Sequence, residues 1–113
     1  MKQIKAFIRP NMTDEVVDAL ENLPNSPGLT MSKVEGWGHT QNESHARLTE
    51  RVKLEIVVPE EEVETVVNCV VKYARTGDGH YGDGIIFVST IDEAVRIRNG
   101  NRGKQILNHN DEQ

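Results

Sequence analysis

Apolar and polar residues alternate over residues 2–9, where Ile4, Ala6 and Ile8 share one face and Phe7 takes the other. That is the period-two pattern of a strand with one covered face. Pro10 ends it. Thr13, Asp14 and Glu15 predict a helix start: a hydroxyl to cap the first turn, then acids where the helix dipole favours them. Val16, Val17, Leu20 and Leu23 recur at helical spacing, and Pro24-Asn25-Ser26-Pro27-Gly28 stops the helix. A second strand is predicted over residues 29–34, ending at Gly36-Trp37-Gly38. Residues 39–50 are polar and read as a mobile loop. A third strand is predicted over residues 51–58, with Val52, Leu54, Ile56 and Val58 on one face. Pro59 then suits a first helical position. The acids Glu60, Glu61 and Glu62 follow it, and Val63, Val66, Val67, Val70, Val71 and Ala74 form the stripe. After the glycine-rich residues 76–84, the apolar run 85–89 fits a central strand. Residues 91–98 predict a short turn and a further strand, and residues 99–113 a polar, weakly ordered tail.

The order β-α-β-β-α-β predicts an α+β, ferredoxin-like sandwich: an antiparallel sheet with two helices on one face. Residues 1–100 form one domain and residues 101–113 the polar tail. Composition narrows the function more than the fold does. The chain has 113 residues and a formal charge of −5, which argues against a nucleic-acid binder, since phosphate affinity comes from accumulated Lys and Arg. Leu, Ile, Val and Phe make up about a quarter of the chain, above the roughly 20% of disordered chains. The core is nevertheless small, so oligomerisation is a natural supplement. One cysteine, Cys69, suits a reducing compartment. Without an apolar leader or spanning run, the expectation is a cytoplasmic protein with no direct membrane insertion.

Four features carry candidate chemistry. Residues 76–84 hold four glycines, which let backbone N–H groups converge on an anion; a plain flexible connection explains them as well. Arg96 and Arg98, two apart on the predicted strand, point two guanidiniums at one site, or else line a solvated edge. Gly36 and Gly38 flank the one tryptophan, as if the backbone were pinned close to something, or the Trp covered the core. His39, His45 and His80 fit no metal-ligand spacing and read as polar loop residues. No catalytic constellation can be assigned, and Glu60–Glu62 reads as helix-start acids.

Several stretches together resemble the PII nitrogen-regulatory signal-transduction family. They are Lys2-Gln3-Ile4-Lys5-Ala6-Phe7-Ile8-Arg9-Pro10, Gly28-Leu29-Thr30, Val34-Glu35-Gly36-Trp37-Gly38 and Val52-Lys53-Leu54-Glu55-Ile56-Val57-Val58-Pro59. The most specific are Ala74-Arg75-Thr76-Gly77, Gly82-Asp83-Gly84-Ile85-Ile86-Phe87-Val88 and Ala94-Val95-Arg96-Ile97-Arg98-Asn99-Gly100. The resemblance implies a homotrimer with adenine nucleotides in the clefts between subunits. It also implies a T-loop, here residues 39–50, that docks on a transporter, enzyme or regulator. The nucleotide contacts it implies are Thr30, Gly36, Gly38, Thr76, Gly77, Gly82, Asp83, Gly84, Arg96 and Arg98.

The departures from the family are equally specific. The T-loop is short and lacks the tyrosine that is uridylylated in the family. His39, Thr40, Gln41 and Arg51 are the effector-loop candidates. Thr40 stands where the family has the glutamine that helps hold magnesium and 2-oxoglutarate, and Arg51 where it has the lysine pairing with 2-oxoglutarate. Ile85 replaces a phosphate-binding lysine, and the glycine loop is two residues longer. The expectation is a divergent, non-catalytic regulator with no catalytic cofactor, whose ligand is ADP or AMP, with ATP as the alternative, and with an anion such as bicarbonate as candidate effector. Two other readings are a metal-responsive module tied to heavy-metal efflux through His39, His45 and His80, and a slow nucleotide hydrolase.

Overall fold

The computed structural model describes residues 1–39 and 45–107. Four strands and two helices alternate as the pattern predicts: β1 (Lys2–Ile8), α1 (Thr13–Glu21), β2 (Thr30–Gly38), β3 (Arg47–Val58), α2 (Val63–Ala74) and β4 (Gly84–Thr90). The sheet runs β2-β3-β1-β4, with every pairing antiparallel. This is the ferredoxin-like arrangement. Its core follows from the alternation. Ile4, Ala6 and Ile8 of β1 and Val52, Leu54, Ile56 and Val58 of β3 are buried on one face. Against them pack Val16 and Leu20 of α1 and Val66, Cys69, Val70 and Ala74 of α2. Val71, placed in the α2 stripe by its spacing, lies on the outer side and is exposed. No helix among the described residues is long and apolar enough to cross a membrane.

The helix starts differ from expectation. Each helix is preceded by a single 3₁₀ turn, Pro10–Met12 and Glu60–Glu62. These turns supply the first bends, so Met12 rather than Thr13 occupies the cap of α1, and the buried Thr13 hydroxyl has no hydrogen-bond partner among the described residues. Pro59 caps its turn instead of sitting inside α2.

The second hairpin is longer than its hydrophobicity suggests. β2 continues through Gly38, and β3 begins at Arg47, with Val34 opposite Arg51, Gly36 opposite Thr49 and Gly38 opposite Arg47. Residues 47–50, expected in the loop, are therefore strand. The ladder alone holds this stem, because neither face of β2 is buried.

The C-terminal part departs further. β4 is an edge strand in the protomer, not a central one, and Ile85, Phe87 and Val88 are exposed. No strand forms over residues 91–98. The chain doubles back instead: the Arg96 N–H bonds the Asn101 carbonyl, Gly100 N–H the Arg96 carbonyl, and Gly103 N–H the Ala94 carbonyl. Gly100 and Gly103 take the left-handed φ of 73° and 92° that this reversal needs. Residues 104–107 form a 3₁₀ turn whose Ile106 is buried, so the polar tail is packed at least to Leu107.

Candidate functional site

The glycine loop leaves α2 after Ala74 and re-enters the sheet at β4 beside the end of β1. Gly84 opposes Ile8 there. With φ at 126°, a Cβ on Gly84 would lie 1.9 Å from the Phe7 carbonyl oxygen, so only glycine admits this pairing.

The loop does gather N–H donors around an anion, but the anion is its own. Oδ2 of Asp83 accepts from the backbone N–H of His80 at 2.8 Å and of Thr76 at 3.2 Å. Oδ1 accepts from the Thr76 hydroxyl at 2.6 Å and from Arg9 Nε at 3.1 Å. The Thr76 hydroxyl bond, with the His80 and Thr76 amides and Arg9, holds the carboxyl well below the ordinary carboxylate range. Thr76 and Asp83, both expected as ligand contacts, are thus first of all contacts of each other. His80 serves the same loop. Its Nδ1 lies 2.7 Å from the Thr76 carbonyl, which can only accept, so Nδ1 carries the proton in that bond.

Two guanidiniums meet over Gly82. Arg9 Nη2 donates to the Tyr81 carbonyl at 2.8 Å. A Cβ built on Gly82 would stand 3.1 Å from Arg9 Nη2 and 3.4 Å from Arg51 Nη2. Arg51 also donates to the Glu50 carbonyl at 2.8 Å. Burial, then the charges of Arg9 and Arg47, push the Arg51 pKa down. Asp83 offsets part of this positive charge through the Arg9 ion pair. The remainder is an electropositive corner framed by Arg9, Arg51 and Gly82.

Thr30 lies elsewhere. It opposes Glu55 at the start of β2 and lines a cleft of about 1000 Å³ with Gly28, Glu55, Val57, Glu62 and Lys104. Between β2 and β4 lie three strand spacings, about 14 Å. The expected nucleotide residues therefore fall into separate groups on one protomer: Thr30 in this cleft, Thr76, Gly77, Gly82, Asp83 and Gly84 in the glycine loop, and Gly36 and Gly38 on the hairpin stem.

The stem answers one question raised by the sequence. Trp37 does not cover the core; it is 71% exposed, opposite an exposed Leu48. Among the described residues no heavy atom outside its chain neighbours lies within 4 Å of a Cβ on Gly38, and only the Thr49 carbonyl within that distance at Gly36, so none of them presses on these glycines.

Arg96 and Arg98 do not share a strand face, because residues 97–99 form a turn. Arg96 is half-buried and gives one Nη2 N–H to the Ile106 carbonyl at 2.8 Å, while Arg98 is exposed on the turn. Thr40 and Gln41 lie outside the described residues. His39 and His45 stand at the two sides of the hairpin end, and His80 is engaged in the glycine loop. Among the described residues no group of three or more His, Cys, Asp or Glu side chains is placed to hold a metal ion.

Sequence reasoning missed Arg9 and Arg47. Arg9 had a usable signal: in a βαββαβ fold the end of the first strand lies beside the start of the fourth, so a charge before Pro10 must face the end of the glycine loop.

Residues 1–101 match the family described as Nitrogen regulatory protein P-II. The chain is 43% identical to Nitrogen regulatory protein P-II 2 of Methanothermobacter thermautotrophicus, over 95% of this chain and 97% of that protein. It is 38% identical to Nitrogen regulatory protein P-II of Synechocystis, over 95% of this chain and all of that protein. Identity to the protein of the same name from Bradyrhizobium diazoefficiens is also 38%, over 91% of this chain and 96% of that protein.

Proposed function

The chain belongs to the P-II nitrogen regulatory protein family, a family of signalling regulators and not of enzymes, and from that premise we propose that it is a homotrimeric adenine-nucleotide sensor. In this reading the nucleotide sits between subunits. The Thr30 cleft and Arg96 of one copy face the glycine loop of the next. The nucleotide state sets the conformation of the T-loop beyond Gly38, which engages a transporter, enzyme or regulator.

The observation that carries this reading is the separation of the expected contacts on the protomer, together with an uncovered apolar strand. Ile85, Phe87 and Val88 of β4 are about half exposed, and a β run apolar on both faces calls for cover on both. A second copy laid against that side covers it and brings the separated groups towards one another. Ile85 offers no charge to the outer phosphates, which supports ADP or AMP as the preferred ligand over ATP. The Arg9–Arg51 corner suits a small anion, with bicarbonate the candidate effector.

A hydrolase reading finds no support in the loop's acid. Asp83 is ionised and takes four hydrogen bonds, which leaves it poorly suited as a general base.

The test is calorimetry of ADP, AMP and ATP on the trimer, expected to give one site per subunit with ADP or AMP binding at least as tightly as ATP. Replacement of Arg98 by alanine is expected to weaken all three. An ATP preference of tenfold, or a protein that binds none of them, would refute the reading.

A further inference from the structure

We infer that the C-terminal turn Lys104–Leu107 is a positioning element for Arg96, whose free guanidinium edge receives a phosphate of the nucleotide; this rests on the proposed nucleotide site. Arg96 is held at three points. Its N–H bonds the Asn101 carbonyl at 2.8 Å, its carbonyl accepts from Gly100 N–H at 2.8 Å, and its Nη2 donates to the Ile106 carbonyl at 2.8 Å. The first two fix the backbone. The third fixes the end of a long side chain that is otherwise rich in rotamers.

The chemistry of that third bond favours a ligand. A guanidinium presents two edges on which a pair of parallel N–H groups can take both oxygens of a phosphate or carboxylate. One Nη2 N–H spent on Ile106 removes one such edge and leaves the other. The acceptor is a neutral carbonyl, so the positive charge is oriented but not cancelled. A cation held in one geometry before its anion arrives gives up less freedom on binding.

The turn itself is well seated. Ile106 is 9% exposed, and its N–H bonds the Gly103 carbonyl at 3.2 Å. Lys104 pairs with Glu61 in the 3₁₀ turn before α2, and Gln105 bonds the Arg102 carbonyl. Lys104 and Leu107 also line the Thr30 cleft, so the same turn that orients Arg96 forms part of the wall of the proposed nucleotide pocket. Ile106 and Glu61 do not line it, so substitutions there loosen the turn without removing a side chain from the wall.

The experiment measures ADP and adenosine affinity by calorimetry on the full chain, with Ile106→Ser, Glu61→Gln, Arg96→Ala and the Ile106→Ser, Arg96→Ala pair. Ile106→Ser is expected to weaken ADP about tenfold, the size of one charge-assisted bond, and adenosine less than about twofold. In the Arg96→Ala background it is expected to add nothing. Glu61→Gln leaves the fold intact and is expected to weaken ADP about twofold with adenosine unchanged, which keeps the test decisive if Ile106→Ser does not fold. Equal losses for ADP and adenosine, additive losses in the pair, or ADP affinity unchanged or increased in Glu61→Gln would overturn the inference while leaving the nucleotide site standing. A parent protein that binds neither compound overturns the nucleotide reading, and this inference with it.

Discussion

Replacing Asp83 by asparagine keeps the shape of the side chain and removes its charge, and the geometry predicts a large effect. Four donors converge on the carboxylate, two on each oxygen. An amide has one oxygen. Turned towards the His80 and Thr76 backbone N–H groups, it presents its own NH₂ to Arg9 Nε. The Thr76 hydroxyl can rotate to accept, but the guanidinium cannot. Turned the other way, it presents NH₂ to two backbone donors that have no freedom to move. The first arrangement is the cheaper one. It loses a bond to a charged partner, worth about 1.5–3 kcal/mol, and weakens the remaining bonds, since a neutral acceptor is roughly half as strong as an ionised one. Access of water to the site takes the estimate towards the lower end, about 3 kcal/mol in all. For a domain of this size that is a fall of roughly 10–20 °C in melting temperature.

The assay is thermal and urea unfolding at fixed protein concentration, because assembly shifts apparent stability by mass action. Asp78→Asn is the control: it makes the same change of charge in the same loop, at an exposed position, and is expected to stay within about 0.5 kcal/mol of the parent. The pH dependence gives an independent reading. The folded Asp83 pKa lies below its ordinary value of 3.8. Its stabilisation is therefore complete above about pH 5 and is lost as pH falls through and below the ordinary carboxylate range. The difference between parent and Asp83→Asn should be constant from neutral pH to about pH 5 and shrink below about pH 4. Equal stability of Asp83→Asn and Asp78→Asn, or a difference that grows on acidification, would refute the loop's account.

The remaining predictions follow from contacts already described. Gly84→Ala forces a Cβ against the Phe7 carbonyl at φ 126°, and is expected to cost at least about 3 kcal/mol; wild-type stability in urea would show that β4 does not pair as described. Phe87 is half exposed on β4 and meets Phe7 edge to face at 6.2 Å; Phe87→Asp is expected to turn a trimer into monomers in light scattering, and a wild-type monomer at micromolar concentration would remove the trimer. In calorimetry with Mg-ATP, 2-oxoglutarate is expected not to bind tightly, because on the family resemblance Thr40 replaces the glutamine expected to help hold it; tight binding would show that Arg51 and Arg9 suffice.

What the sequence made legible tracks what each segment touches. β1 and β3 alternate because helices cover one face of the sheet, and their buried residues are those the pattern names. β2 has no buried face. Its residues from Gly36 on, and residues 47–50 opposite them, are held by backbone pairing, which composition does not record. Residues 95–98 alternate apolar and charged side chains as a strand would, yet the two glycines that follow reverse the chain. Periodicity reports a covered face, and where no face is covered it reports nothing or misleads.

The candidate site divides along the same line. Four glycines in nine residues announced a loop and suggested that its N–H groups converge on an anion; on the protomer those of Thr76 and His80 converge on Asp83. The glycines did not say that the charge is Asp83, because a side chain folding into its own loop leaves no periodic trace. Arg9 and Arg51, 42 positions apart in sequence, meet only because antiparallel pairing sets the end of β1 beside the middle of β3, with Ile8 opposite Val52. The loudest hydrophobic signal in the C-terminal half, the run from Ile85 to Val88, leaves Ile85, Phe87 and Val88 exposed on the protomer. A run apolar enough to predict a central strand stands instead at an edge, which a copy in the proposed trimer would cover. On that proposal the sequence encodes burial that the protomer satisfies only in part.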